Sequence, residues 1–268
     1  MPENAAFLHL ITRLYSLYQS FDLVIDSRLV GEPEKTLFFA LPGERRDGHE
    51  FVPLLIRLGV RHFVLQGEEA DRQADAINAA VQEVEGTAPN FTRVRDPLEV
   101  LQHLAAYHRL QFSIPVVAVT GSNGKTIVKN WLRELLSLDR EVCASPRSYN
   151  SRIGVPLSLW RMRARHAIAV FEVGISQPGD MDLLRAIVRP THGVLTMIGT
   201  AHVSQFASQE ALAKEKLSLF RDCLAVVIRQ NESYAGLARE MLGEGRLIPW
   251  FGIGTSGLLA AGKTFALE

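Results

Sequence analysis

The stretch VVAVTGSNGKT, residues 116–126, constrains the fold of this chain more than any other. Val116–Val119 is short and wholly apolar, the pattern of a strand buried on both faces of a parallel sheet. A glycine loop follows at once. Ile127, Trp131, Leu135 and Leu138 then recur at helical spacing and mark one face of a helix. Strand, glycine loop and helix in that order build a phosphate cradle. The glycines let the backbone come close to phosphate, and the helix N-terminus offers unpaired N–H groups and partial positive charge. Lys125 can reach the β- and γ-phosphates, and the Thr126 hydroxyl can ligate Mg²⁺. The nucleotide-contacting set is therefore Thr120, Gly121, Ser122, Asn123, Gly124, Lys125 and Thr126. The general pattern GxxxxGK[ST] would need glycine at Val119, whereas here the first glycine comes at Gly121. The flanking strand and helix separate this loop from a chance Gly-Lys-Thr.

The surrounding pattern predicts an α/β protein. Apolar runs at Ala167–Val173, Val194–Ile198 and Leu224–Ile228 alternate with helical patterns near Gly179–Val188 and Ser208–Phe220. That alternation argues a mainly parallel sheet covered on both faces. Upstream, the runs LVI and TLFFAL flank a polar segment with Gly31 and Pro33. A loop, PGERRDGHE, follows, then a helix over FVPLLIRL ended by Gly59 and a strand at VRHFVLQ. Asp96-Pro97 opens another helix, with Leu98, Leu101, Leu104 and Ala105 on one side. With 268 residues, two domains are expected, with the boundary near Gln111–Pro115: a small α/β domain over 1–112 and a P-loop domain over 113–268.

Composition excludes several classes. Lys+Arg and Asp+Glu both number 29, which gives no support for a nucleic-acid binder. No run approaches the roughly 18 apolar residues of a membrane span. Two cysteines, Cys143 and Cys223, cannot make a disulfide framework. The start, MPENAAFLHL, lacks a signal-peptide pattern. The chain is expected to be cytoplasmic.

Other residues carry chemistry by position. Glu172 ends the run AIAVFE, and a carboxylate at the carboxyl end of a parallel strand faces the ligand crevice. It can hold Mg²⁺, which prefers oxygen ligands, or be an ordinary strand-end acid. Lys216, at about 100° per residue, shares a helix face with Leu212, Ala213, Leu219 and Phe220, while Lys214 falls on the opposite side. A lysine on the packed side pairs with an anion, extends its head to water, or has its charge chemically changed. Gly252, Gly254 and Gly257 satisfy GxGxxG but follow no clear strand, and the Gly262-Lys263-Thr264 triplet likewise lacks context.

The shortened TGSNGKT loop resembles the Mur ligases, ATP-dependent amide-forming enzymes of bacterial cell-wall precursor synthesis. IDSR (Ile25–Arg28) and TLFFALPGERRDGHEF resemble the uridine-nucleotide-binding domain of the MurE and MurF types. YNSRIGVPLSL, FEVGIS and IGTAHVSQFASQEALAKEKLSLF resemble the central ATPase domain. Taken in order, these stretches are most similar to the MurF type and to the ligase half of its fusions with alanine racemase, which makes a fused or separate racemase an expected partner. The resemblance covers about Leu23 to Gly252. It implies that D-Ala-D-Ala is joined to a UDP-N-acetylmuramoyl tripeptide through an acyl phosphate, with ATP and two Mg²⁺ sites.

The resemblance also assigns residues. Ser27 and Arg28 would grip the uridine nucleotide, with Asp47, Gly48 and His49 near the same ligand. Asn150 and Ser151 would line a crevice and touch substrate. Lys125, Glu172, His202 and Lys216 would be catalytic. Thr126, Glu172, His202 and Lys216 would serve the metals, with Lys216 carbamylated by CO₂ into a carboxylate-like anion. Two departures stand out: Ser151 follows Asn150 where many MurF sequences carry a second Asn, and VIRQNES replaces the usual Asn-x-Asp near the nucleotide. Mur ligases have a third domain, so the chain is expected to be an N-terminal fragment, inactive alone. The rival readings are a MurE-type or folylpolyglutamate-synthase-like ligase, a non-catalytic binding module, and a simple P-loop kinase.

Overall fold

A computed structural model describes residues 2–43, 46–199, 205–229 and 233–250. The chain divides into two compact units, Met1–Gln111 and Phe112–Glu268.

The first unit is built on four strands, β1 (Asp22–Val24), β2 (Thr36–Phe39), β3 (His62–Gln66) and β4 (Asn90–Val94), side by side in chain order. Every neighbouring pair is parallel. Its helices are α1 (Pro2–Tyr18), α2 (Val52–Arg57), α3 (Gly67–Arg72), α4 (Ala74–Glu83) and α5 (Pro97–Arg109). Alternation along the strands feeds two layers. Phe38, Phe63 and Leu65 join Leu55 and Ile56 of α2 and Ile77 of α4 in one core cluster. Helix α5 packs against β2 and β3, with α1 against it. Asp96 caps α5 by accepting from the Leu98 and Glu99 N–H groups, and Pro97 opens the helix, as the sequence pattern requires.

The second unit contains β5 (Val116–Thr120), α6 (Lys125–Leu136), β6 (Val142–Ala144), α7 (Gly154–Leu159), β7 (Ile168–Glu172), α8 (Asp180–Val188), β8 (His192–Leu195), α9 (Gln209–Ser218), β9 (Ala225–Arg229), α10 (Ala235–Leu242) and β10 (Leu247–Trp250). The strand order is β10-β9-β8-β5-β7-β6, and every pairing is parallel. β5 lies between β7 and β8, so the chain builds outward from it in both directions. Its carboxyl end is a topological switch point, where open α/β sheets hold their ligands.

Two local expectations shift. The strand expected at Val194–Ile198 is instead His192–Leu195. Residues 196–199 leave the sheet because their backbone and hydroxyls are spent on the glycine loop, as described below. The stripe Ile127, Trp131, Leu135 and Leu138 faces outward, each residue more than half exposed. The rotation of α6 is set instead by Lys125, which must reach back to the loop. That turns Lys129, Leu132 and Leu136 inward.

Candidate active site

The glycine loop is held by interlocking bonds. Gly121 has φ +148°, and a Cβ there would lie 2.1 Å from Thr196 Oγ1 and 2.9 Å from the Met197 carbonyl oxygen. Only glycine fits such a conformation and such an approach. Ser122 N–H donates to Met197 O at 2.7 Å. Ser122 Oγ accepts from Gly199 N–H at 2.9 Å and donates to its carbonyl at 3.3 Å. Thr196 N–H donates to Thr120 O, and Thr196 Oγ1 donates to Asn123 O at 2.6 Å. The segment after β8 thus presets the loop's shape. Thr120 is buried, and its Oγ1 has no hydrogen-bond partner among the described residues.

Lys125, the first residue of α6, folds back over the loop. Its Nζ donates to Gly121 O at 3.0 Å and Ser122 O at 3.2 Å. Burial holds its pKa below the ordinary lysine value, against the opposing pull of Glu172. Next to it, Thr126 Oγ1 donates to Glu172 Oε2 at 2.8 Å and lies 3.3 Å from Ser148 Oγ. Asn150 Nδ2 donates to Glu172 Oε1 at 2.6 Å. The Glu172 N–H donates to Ser145 Oγ at 3.1 Å. Glu172, level with Val119 across the β5–β7 pair, is 1% exposed. A carboxylate and two hydroxyls gather beside the glycine loop, with the Asn150 amide nitrogen bonded to the carboxylate. Hard oxygen donors of this kind suit Mg²⁺.

Lys216 reaches the same loop from α9. It is 1% exposed, and its Nζ donates to Gly121 O at 3.2 Å. Two ammonium groups therefore converge on one carbonyl. Burial, reinforced by the charge of Lys125, pushes the Lys216 pKa down to about 8, with Glu215 pulling the other way. Lys214, by contrast, is exposed and pairs with Glu210 at 2.8 Å. His202 lies outside the described residues, as do the Gln230 and Glu232 of VIRQNES and the glycines after Phe251. Among the described residues no group of three or more His, Cys, Asp or Glu side chains could hold a metal. Ser151 Oγ accepts from Gly154 N–H at 3.1 Å, which commits it to the start of α7.

In the first unit, the loops after β1 and β2 emerge at the same, carboxyl edge of the sheet. Ser27 and Arg28 lie in a short 3-10 turn capped by Asp26, which accepts from Arg28 N–H at 3.0 Å. Asp26 also receives the Arg28 guanidinium through Nε at 2.9 Å and Nη2 at 2.6 Å. Those hydrogen bonds hold the Asp26 carboxyl at a pKa of about 2. The Arg28 side chain remains 81% exposed. Gly48 is glycine because a Cβ would meet Leu41 N at 2.7 Å. His49 is fully buried, with Nδ1 against Asp47 Oδ1 at 2.6 Å and Nε2 accepting the Gln66 N–H at 2.9 Å. The second bond puts the ring proton on Nδ1, so His49 donates to Asp47. Burial alone would raise the Asp47 pKa, but the bonds from His49 outweigh it and hold the carboxyl below its ordinary value. With both nitrogens engaged, His49 braces the loop to the end of β3.

Sequence reasoning missed Lys129, Ser145, Ser148 and Thr196. Lys129 alone left a signal, a second lysine one helical turn beyond Lys125.

Two family models match, in chain order. "Mur ligase family, catalytic domain" covers residues 23–109, and "Mur ligase middle domain" covers residues 119–255. The chain belongs to the Mur ligase family. Among its Mur ligase relatives, the UDP-N-acetylmuramoyl-tripeptide–D-alanyl-D-alanine ligase of Synechocystis sp. is 36% identical over 199 residues, 73% of this chain and 41% of the relative. The enzyme of that name from Borreliella burgdorferi is 36% identical over 227 residues, 84% of this chain and 47% of the relative. The chain spans less than half the length of these two curated relatives. Among solved Mur ligases, MurF from Acinetobacter baumannii superposes with a TM-score of 0.73 at 26% identity, covering 91% of this chain and 53% of that one. MurF from Thermotoga maritima in complex with ADP superposes at 0.67 and 26% identity, covering 87% and 50%. No described helix is long and apolar enough to cross a membrane.

Proposed function

We propose that this chain carries the nucleotide-handling part of a MurF-type ligase, which uses ATP to join D-Ala-D-Ala to a UDP-N-acetylmuramoyl tripeptide in peptidoglycan precursor synthesis. One observation carries the reading. Glu172 receives hydrogen bonds both from Thr126 of the phosphate-loop helix and from Asn150 of the loop after β6, so a phosphate cradle and an oxygen-donor cluster share one carboxylate. The names of the relatives supply the substrates, and the ADP complex of the Thermotoga protein supports a nucleotide at the loop.

Within this reading the loop N–H groups and Lys125 bind the β- and γ-phosphates. Lys125 offsets the charge that gathers on the phosphate oxygens as the phosphoryl group passes to the substrate carboxylate. Thr126 and Glu172 would hold Mg²⁺, which when bound neutralises phosphate charge. His202 and Lys216 complete the metal set implied by the family. The environment of Lys216 supports carbamylation. A depressed pKa supplies neutral amine, and an added CO₂ replaces one of two crowded cations with an anion. Isotopically labelled bicarbonate should give a carbamate NMR signal that is absent in Lys216→Arg; no signal in the wild type would remove Lys216 from the metal set.

In the first unit Arg28, on an exposed turn, binds the UDP portion, beside the braced loop of Asp47, Gly48 and His49. Ser27, Asn150 and Ser151 remain substrate-side residues in this account, Ser151 through the start of α7 that it caps. The domains are taken as 1–112 and 113–268, and the cytoplasm as the site of action. An alanine racemase, fused or separate, is the partner that would supply D-alanine. Calorimetric titration with UDP-N-acetylmuramoyl tripeptide tests the substrate assignment. Saturable binding that is lost in Arg28→Ala supports it. ATP binding without any UDP-ligand binding would leave a different P-loop enzyme as the better account.

A further inference from the structure

Lys129 takes no part in the chemistry above, yet it is 1% exposed. It sits one turn beyond Lys125 on the inward side of α6. Its Nζ donates to Ser145 O at 3.0 Å and to Arg147 O at 2.8 Å. Both partners are neutral carbonyls, and burial depresses its pKa, against the favourable field of Glu172. A buried ammonium is costly to keep, so its placement calls for a compensating role.

The turn that it holds is strained. Arg147 has φ +48°, in the left-handed region that non-glycine residues seldom occupy. Such a conformation persists only where the surroundings over-determine it. Two carbonyls converging on one cation do so here. The turn continues through the Tyr149 N–H to Pro146 O bond and the Asn150 N–H to Ser148 O bond. It then delivers Ser148 Oγ to Thr126 Oγ1 and Asn150 Nδ2 to Glu172 Oε1. Ser145 Oγ meets the Glu172 N–H directly, and the two side-chain contacts made by Ser148 and Asn150 lie downstream of the pair of bonds that Lys129 makes.

We propose that Lys129 is a positioning residue: its buried ammonium fixes the Ser145–Arg147 turn and thereby sets Ser148 and Asn150 against Thr126 and Glu172. The consequence for Mg²⁺ and nucleotide rests on the reading of that cluster given under the proposed function; the consequence for the loop does not. An ammonium suits the task because it is a compact point charge with three donors, where a planar guanidinium is bulkier and fits two convergent carbonyls less well.

The test uses the full chain as wild type, Lys129→Met and Lys129→Arg. Hydrogen–deuterium exchange is followed at 145–150, with 116–120 and 168–172 as controls, and ATP binding is titrated across a series of Mg²⁺ concentrations. In Lys129→Met, exchange at 145–150 should rise at least about ten-fold with the control strands unchanged. The Mg²⁺ needed for half-maximal ATP binding should rise by a similar factor. Lys129→Arg should recover part of both. A lysine that only fills space would lower Tm and leave the Mg²⁺ requirement as in wild type, and that result overturns the proposal, as does unchanged exchange at 145–150. If Lys129→Met does not fold, Lys129→Gln carries the same expectations. If wild type binds no ATP at any Mg²⁺ concentration, the nucleotide reading fails, and the exchange comparison alone decides the role of Lys129.

Discussion

The two units place candidate ligand loops at the carboxyl edge of a parallel sheet, but they hold them differently. In the second unit the glycine loop is locked from outside itself: Thr196, Met197 and Gly199, more than 70 residues away in sequence, bond to Thr120, Ser122 and Asn123. In the first unit Arg28 is held, among the described residues, only by Asp26, two residues away, and stays largely exposed. The difference fits the two tasks proposed above. Stabilising charge that develops on a transferring phosphoryl group needs donors already in position. Gripping one end of a large ligand can be left to an exposed arm on a rigid scaffold, here braced beside it by His49.

The largest expected effect comes from breaking the locked loop. Gly121→Ala puts a Cβ into Thr196 and the Met197 carbonyl at a φ that alanine avoids. It should cost roughly 3 kcal/mol in urea unfolding and abolish ATP binding. A variant with wild-type stability would mean that the loop is not preset. Next comes Lys216, in CO₂-free buffer without Mg²⁺. Its folded pKa of about 8 lies below the unfolded value near 10.5, so the unfolded chain binds more protons between the two. Stability should therefore rise as pH climbs from 8 to 10.5, by up to about 3 kcal/mol. Lys216→Met should abolish that rise and be the more stable protein at pH 7.

Smaller effects belong to the exposed arm. Arg28→Ala should leave the urea-unfolding midpoint close to that of wild type at neutral pH. Asp26 contributes stability above its ordinary pKa of 3.8, and this is lost as pH falls through about 2. NMR titration should find the Asp26 midpoint returning toward the ordinary value in the variant. The smallest effect is expected of Trp131→Ala. The side chain lies on the outward face of α6, and the loss should stay under about 0.5 kcal/mol. A large loss would show that another surface covers this face.

The glycine loop was legible in the sequence because a buried strand, a glycine turn and a helix opening at Lys125 follow one another directly. The packing of Lys216 was legible from helical angle alone. The rotation of α6 was not, because periodicity points the apolar stripe at a core, whereas Lys125 fixes the helix by its reach to the loop. The clamp at 196–199 was hidden for a related reason: an apolar strand pattern at Val194–Ile198 looks the same whether its last residues stay in the sheet or turn to bond a loop. The turn at Asp47–His49 was legible, but not His49 as its internal brace, which depends on Gln66 from another strand. Strand β4 (NFTRV) is only partly buried and carries no continuous apolar run, so it left no strand signal even though Gly86 and Pro89 precede it.

Calorimetric titration of ATP into the full chain, with Mg²⁺ and then with a chelator, tests the central claim most directly, alongside Lys125→Ala and Glu172→Gln. The account predicts saturable one-site binding that requires Mg²⁺, is lost in Lys125→Ala and is weakened in Glu172→Gln. Absence of binding, or binding indifferent to Mg²⁺ and to both substitutions, would contradict it.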